Sequence, residues 1–328
     1  MAIATLHDGG LQPLFEERPT HDSPTISLCG ESIDLPGPLL ALAIKKAARY
    51  SGAPNELEAI RRVASDMKSD HSDGRFGIVR QSYLRSEITH RLDILLKHGR
   101  DRFLEAADSF VLISFDLNGL KAMNDLAGHQ AGDELLQRVV IALTTGHTTQ
   151  TLKKFSGVDA FVASGGGDEF FVLLQGARDP EKLLRGWQDE VRAIDCSDIL
   201  DFMSPEITKQ FVSTQIPEGF VFRPTIAGGY STLAQALRMF SYDAEADFHV
   251  NLQRIMGLMF DLTHEPLMAD KRRIKAELAL GTPQEQFLAA VYRRTEEAVQ
   301  LEIENQLLRT NIAQLQAALE TCRGGLDN

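Results

Sequence analysis

The sequence predicts a layered domain of the α/β (α+β) class, and three observations carry that reading. FVLISFDL, Phe110 to Leu117, is a short β-rich apolar run, too brief for an ordinary helix and suited to a central strand. FVAS and FFVLL, separated by three glycines, read as the two arms of a hairpin. Between and after them lie AGDELLQRVVIALTTG and DPEKLLRGWQDEVRAI, whose apolar residues recur at helical spacing. Interleaved strands and helices bury their apolar faces against one another in layers.

Taken in chain order, residues 1–36 read as a polar leader with several prolines and glycines. Residues 37–71 follow as a helical segment. Its two parts are PGPLLALAIKKAARYSG and PNELEAIRRVASDMK. The layered domain is assigned to residues 72–277. Within it FVFRPTIAGGY reads as a further strand, with Gly228-Gly229 as its terminal turn, and helical segments run on through Lys275. Trp187 falls on a helix as packing, and His129 reads as a structural, hydrogen-bonding residue.

Residues 284–321 differ in kind. Phe287, Val291, Ala298, Leu301, Leu308, Ile312, Leu315 and Leu319 lie on a stripe of alternating three- and four-residue steps whose remaining positions are Arg294 and Asn305. Leucines fill one heptad slot; Val291, Ala298, Asn305 and Ile312 fill the other. A single Asn in such a seam favours a parallel two-stranded coiled coil, with Glu304 and Arg309 placed to pair across chains. Arg294 interrupts the stripe, and a long helix folding back on its own domain is the competing reading.

Composition narrows the function classes. Acids outnumber bases 46 to 34 in 328 residues, giving a formal charge of -12. That argues against a nucleic-acid binder, which needs dense Lys and Arg against phosphates. Three widely spaced cysteines, Cys29, Cys196 and Cys322, form neither a disulfide framework nor a paired metal-ligand motif and fit a cytoplasmic protein. No apolar run approaches the roughly 20 residues that a membrane helix requires.

The chain lacks the common phosphate-loop, dinucleotide, nucleophile-elbow and zinc-protease motifs. It has instead two acidic stretches. In FDLNGLKAMNDLAGHQAGDELL, Asp116 ends a strand and Lys121 and Asn124 follow in a helix; in GGGDEFF, Asp168 and Glu169 sit at a hairpin tip. Each stretch alone is compatible with a plain turn. Side by side, such carboxylates hold magnesium against a triphosphate, because magnesium takes oxygen ligands and few of them from protein. Adjacent glycines let backbone N–H groups reach phosphate oxygens.

Together the two stretches resemble the GGDEF-domain diguanylate cyclases. The pentapeptide is complete as Gly166 to Phe170, and the upstream block D-x-[DN]-x-[FL]-K-x-x-N-D-x-x-G-H-x-x-G-D is complete as Asp116 to Asp133. The resemblance implies a nucleotidyl-cyclase-like, polymerase-palm-like fold with a central mixed sheet flanked by helices. It implies condensation of two GTP into cyclic di-GMP and pyrophosphate with Mg2+ (or Mn2+), by a homodimer held through the C-terminal coiled coil. By the same resemblance Asp116, Asp168 and the Leu117 carbonyl ligate metal, and Glu169 supports the metal or deprotonates the ribose 3′-hydroxyl. Asn124 and Asp133 bind guanine. The backbone at Asn118, Gly119, Leu120 and Lys121, and at Gly166 and Gly167, cradles phosphates. LMADKRRIK resembles the family's L-Y-x-x-K-x-x-x-R segment, making Lys271 the triphosphate clamp and Lys275 a second phosphate contact.

The periphery departs from the family. The inhibitory R-x-x-D site falls at Gly157 to Ala160 without either charge, Ser164 replaces an Arg, Met268 a Tyr and Lys275 an Arg. A domain that binds GTP or cyclic di-GMP without turnover is the alternative these departures leave open.

Overall fold

The computed structural model describes residues 72–73, 76–154, 158–198, 217 and 220–324. The leader over 1–36 and the helical segment over 37–71 lie outside the described residues. The described chain divides into two compact units. One holds the residues up to Asn118, Glu134–Ile194 and Arg223–Ile274; the other holds Gly119–Asp133, Asp195–Phe222 and the residues from Lys275 onward.

The first unit is built on a six-stranded mixed sheet in the order β1-β2-β4-β5-β3-β6. Its strands are β1 (Ser72–Asp73), β2 (Ile78–Arg80), β3 (Phe110–Asn118), β4 (Asp159–Gly166), β5 (Glu169–Gln175) and β6 (Thr225–Thr232). Only β2 and β4 run parallel; the other neighbours are antiparallel. All nine residues of β3 are buried, as expected of a strand paired on both edges and covered on both faces. The GGDEF stretch forms the expected hairpin between β4 and β5.

Side-chain alternation along β3 decides which layer each residue meets. Phe110 and Leu112 point into a core shared with α1 (Gln81–Lys97), α2 (Arg100–Ala107), α7 (Leu233–Met239) and α8 (Phe248–Leu280). That core includes Leu84, Ile88, Phe103, Phe171, Leu237, Leu252, Ile255 and Met259. Phe115 points the other way, onto α6 (Pro180–Arg192), where its ring meets Trp187 edge-on at 5.9 Å. Trp187 is fully buried and donates its indole N–H to Thr149 Oγ1 at 3.0 Å, so it is packing with its polar edge satisfied. Asp179 caps α6 by accepting from Lys182 N, with Pro180 in the first turn.

One expectation is corrected here. Gly228 and Gly229 do not form a terminal turn; they lie inside β6, opposite Phe115 and Ser114 of β3. The reason is close approach of helices on both faces. A β-carbon on Gly229 would collide with the backbone of α8 at Thr263 and Leu267, and one on Gly228 with Leu184 and Phe115. β6 is an edge strand, and its Gly228 N–H donates to Asp270 Oδ2 of α8 at 2.9 Å.

In the second unit are α3 (Leu120–Ala127), the start of α4 (His129–Thr145) and α9 (Pro283–Gly324). α5 (His147–Lys154) belongs to the first. No helix among the described residues is long and apolar enough to cross a membrane.

The apolar stripe of α9 divides in two. Phe287, Val291, Tyr292 and Thr295 are buried, Phe287 against the ring of Phe220 at 4.9 Å, whereas Leu301, Leu308 and Ile312 are exposed. The exposed part of the repeat therefore begins near Ala298 rather than at Phe287.

Gly229→Ala is expected to destabilise the fold by at least about 2 kcal/mol, since backbone rather than a movable side chain blocks the new methyl. Chemical denaturation measures it; an unchanged midpoint contradicts the close helix–sheet contact.

Candidate functional site

In the first unit, strand geometry gathers carboxylates at one end of the sheet. Asp116 is next to last but one on β3 and shares a face with Phe110 and Leu112, the face against which α8 packs. Antiparallel register sets Glu169 directly opposite Asp116. Asp168 precedes Glu169 at the hairpin tip, and its carbonyl accepts from Leu117 N at 3.0 Å, tying the tip to the end of β3. The tip needs glycine: Gly166 and Gly167 have φ of 106 and 60, and both have open space around the missing β-carbon. Asp116 is buried, Asp168 half-buried and Glu169 exposed.

Burial pushes the Asp116 carboxyl up to about 6 from an ordinary 3.8. Lys271 opposes this, through a hydrogen bond and its charge, while the charges of Asp168 and Glu169 add to it. Lys271 Nζ lies 2.7 Å from Asp116 Oδ2. The residue expected to clamp a triphosphate thus pairs with the residue expected to hold metal.

Lys271 is held there by its neighbour Asp270, which no sequence motif singles out. Asp270 Oδ2 accepts from Gly228 N and from Gln188 Nε2 at 2.6 Å, and Asp270 Oδ1 accepts from Arg273. Gln188 also donates to Ile226 O. These bonds fasten α8 to β6 and α6 one residue before Lys271. In sequence, Asp270 is indistinguishable from the other charges of MADKRRIK; only its strand and helix partners mark it.

Among the described residues, no three His, Cys, Asp or Glu side chains converge as a ready-made metal cluster. The donor chemistry nevertheless fits a hard divalent cation: the carboxylates of Asp116, Asp168 and Glu169 and the Leu117 carbonyl are all oxygen donors. Asn118, the last residue of β3, donates from Nδ2 to Thr225 Oγ1 at 3.2 Å, which fixes its side chain within the sheet.

The second unit carries the remaining sequence-selected residues. Gly119, with φ of 80, turns the chain into α3, which bears Leu120, Lys121 and Asn124. Gly128, with φ of 86, separates α3 from α4, on which Asp133 lies exposed. Gly132 has no room for a β-carbon because the Asn124 amide occupies that space, so Asn124 reaches the residue next to Asp133. His129 is exposed at the start of α4. Tyr292 of α9 packs its ring against Gly119; Lys121 pairs with Glu302 at 3.6 Å and Lys275 with Glu296 at 2.5 Å.

Residues 83–194 match the family described as diguanylate cyclase, GGDEF domain. This span includes β3, the hairpin, α3 and Asp133, and excludes Lys271. A Streptomyces griseus protein described as an uncharacterized protein in the hutH 5' region is 36% identical over 85 residues, which are 26% of this chain and 32% of that protein. The shared part is therefore about a third of that relative's length. A sensory box/GGDEF family protein from Caulobacter crescentus is similar at 19% identity and a TM-score of 0.39, over 62% of this chain and 99% of that one. The coiled coil and GGDEF domain of DgcB from Caulobacter crescentus, solved in complex with c-di-GMP, is similar at 15% identity and a TM-score of 0.43, over 70% of this chain and 95% of that one. The part of the chain that matches the GGDEF domain family is residues 83–194, and the complete signature at Gly166 to Phe170 lies within it.

Proposed function

We propose that this chain is a diguanylate cyclase that condenses two GTP into cyclic di-GMP and pyrophosphate in the cytoplasm. The observation that carries the reading is the carboxylate set at the end of β3, with Asp116 opposite Glu169 and raised to about 6. Negative charge gathered at a buried strand end costs stability and suits a cationic ligand.

Asp116, Asp168, Glu169 and the Leu117 carbonyl are the groups to hold Mg2+ (or Mn2+). Such a bound ion activates a 3′-hydroxyl and neutralises charge on leaving pyrophosphate. Asp133 and Asn124 supply an acceptor carboxylate and an amide for the guanine edge. The backbone N–H groups from Asn118 to Lys121 and at Gly166-Gly167 cradle phosphates, and Lys275 adds a point charge. Lys271 exchanges its Asp116 contact for the triphosphate. Glu169, the most exposed of the three acids, either supports the metal or takes the proton from the 3′-hydroxyl as its oxygen attacks the α-phosphorus and pyrophosphate departs. Two GTP require two domains, and the exposed Leu301, Leu308 and Ile312 of α9 support pairing of two copies through a coiled coil.

Incubation of the full chain with GTP and Mg2+ is expected to yield cyclic di-GMP and pyrophosphate. Asp168→Ala is expected to abolish both while the thermal melt stays within a degree or two. GTP binding without product by the dimeric wild type contradicts the cyclase reading and favours a binding module. Leu308→Asp is expected to convert dimer to monomer and to lower the rate at low protein concentration; an unchanged sedimentation profile contradicts the tail's role.

The raised Asp116 also sets a pH dependence in metal-free protein. Its folded value exceeds its unfolded one, so the folded state holds this proton more tightly. The associated stability is complete below about pH 4 and is lost as pH rises through about 6. Asp116→Asn is therefore expected to raise stability at pH 7 with chelator present, by up to about 3 kcal/mol, and to change little at pH 4. Equal melts of the two proteins at pH 7 contradict it.

A further inference from the structure

In the second unit, α9 lies on the groups that the proposed function assigns to substrate phosphates. Three contacts coincide. The Tyr292 ring covers Gly119, at the αL turn where the backbone N–H groups of the phosphate cradle begin. Glu302 pairs with Lys121 at 3.6 Å, and Glu296 pairs with Lys275 at 2.5 Å. Both lysines therefore have carboxylate partners from one helix, while a third face of that helix, Leu301, Leu308 and Ile312, stays exposed.

We infer that α9 is a built-in competitor of GTP: its Glu296 and Glu302 carboxylates occupy the cationic positions of the phosphate cradle, and Tyr292 covers the cradle's backbone. This rests on the assignment of Lys275 and of the Gly119 and Lys121 backbone to phosphate binding, and takes the Lys121 ammonium beside that backbone as a further cation of the cradle. The charge logic is direct. A triphosphate and a pair of glutamates present the same sign to the same two ammonium groups, so one must leave for the other to bind.

The strength of the contact suits a competitor rather than a block. All four charged side chains are between 41% and 65% exposed, so each pair is screened by water and salt and is easily exchanged. A more highly charged ligand accompanied by a divalent cation displaces them. Release of α9 from this position also frees the helix to move with its exposed stripe, which links occupancy of the cradle to whatever α9 pairs with.

The test uses the full chain with the double substitution Glu296→Gln and Glu302→Gln. Both positions are exposed, so folding is retained. Glu297→Gln, a single neutralisation on an exposed residue of the same helix, is the control against which each single substitution is also compared. A fluorescent GTP analogue with Mg2+ reports affinity, and cyclic di-GMP formation reports KM and kcat. The double variant is expected to bind the analogue about five- to ten-fold more tightly and to lower KM by the same factor, with kcat unchanged. The advantage is expected to shrink as salt rises. Glu297→Gln is expected to match wild type. Equal or weaker affinity in the double variant, with wild type still binding and turning over GTP, overturns the tail contact and leaves the cyclase reading standing. Absence of analogue binding by every form overturns both.

Discussion

The pairing of β3 on both edges is the constraint from which the rest of the first unit follows. Because β5 and β6 flank it and helices cover both faces, every residue from Phe110 to Asn118 is buried, including the one carboxylate that the strand carries. Register then decides Asp116's company. Glu169 stands opposite on one side, Ala227 on the other, and Asp168 is tied back through the Leu117 N–H. A shift of one residue would turn Asp116 toward Trp187 and leave Phe115 among the acids. The apolar residues on each face of β3 thus hold the acidic end in place, and core packing serves as the positioning device.

That arrangement works against stability. Desolvation lifts Asp116 to about 6, and two further carboxylates push in the same direction. Lys271 offsets part of this by lying 2.7 Å away. Its position is not incidental, because Asp270 beside it is locked to the β6 edge and to Gln188. The glycines of β6 complete the device: without β-carbons at Gly228 and Gly229, α8 and α6 approach closely enough for these bonds to form. Helix α8 accordingly acts as a rigid arm that delivers an ammonium group to a site short of positive charge.

Much of this was legible in sequence where the signal is local. The alternation in FVLISFDL, the glycine break before Asp168 and the helical periods around them each depend on a few neighbouring residues, and the elements appear where those patterns lie. The complete pentapeptide and upstream block named the family. Long-range features were not legible. Gly228-Gly229 reads as a turn until the backbone of α8 at Thr263 and Leu267 is placed beside it. Asp270 has no local mark that separates it from Asp261 or Glu265. In α9, an apolar residue at helical spacing serves a neighbouring copy or its own chain equally well. Phe287 and Val291 are buried in their own chain, whereas Leu301 and Leu308 are exposed.

The central claim is that the acids at the end of β3 exist to hold a divalent cation. Electron paramagnetic resonance of Mn2+ titrated into the full chain at pH 7, with and without GTP, tests it most directly. The account predicts saturable binding that GTP strengthens and that Asp116→Asn weakens at least about ten-fold. Wild type that leaves Mn2+ free even with GTP, or a variant that binds it equally, contradicts the account.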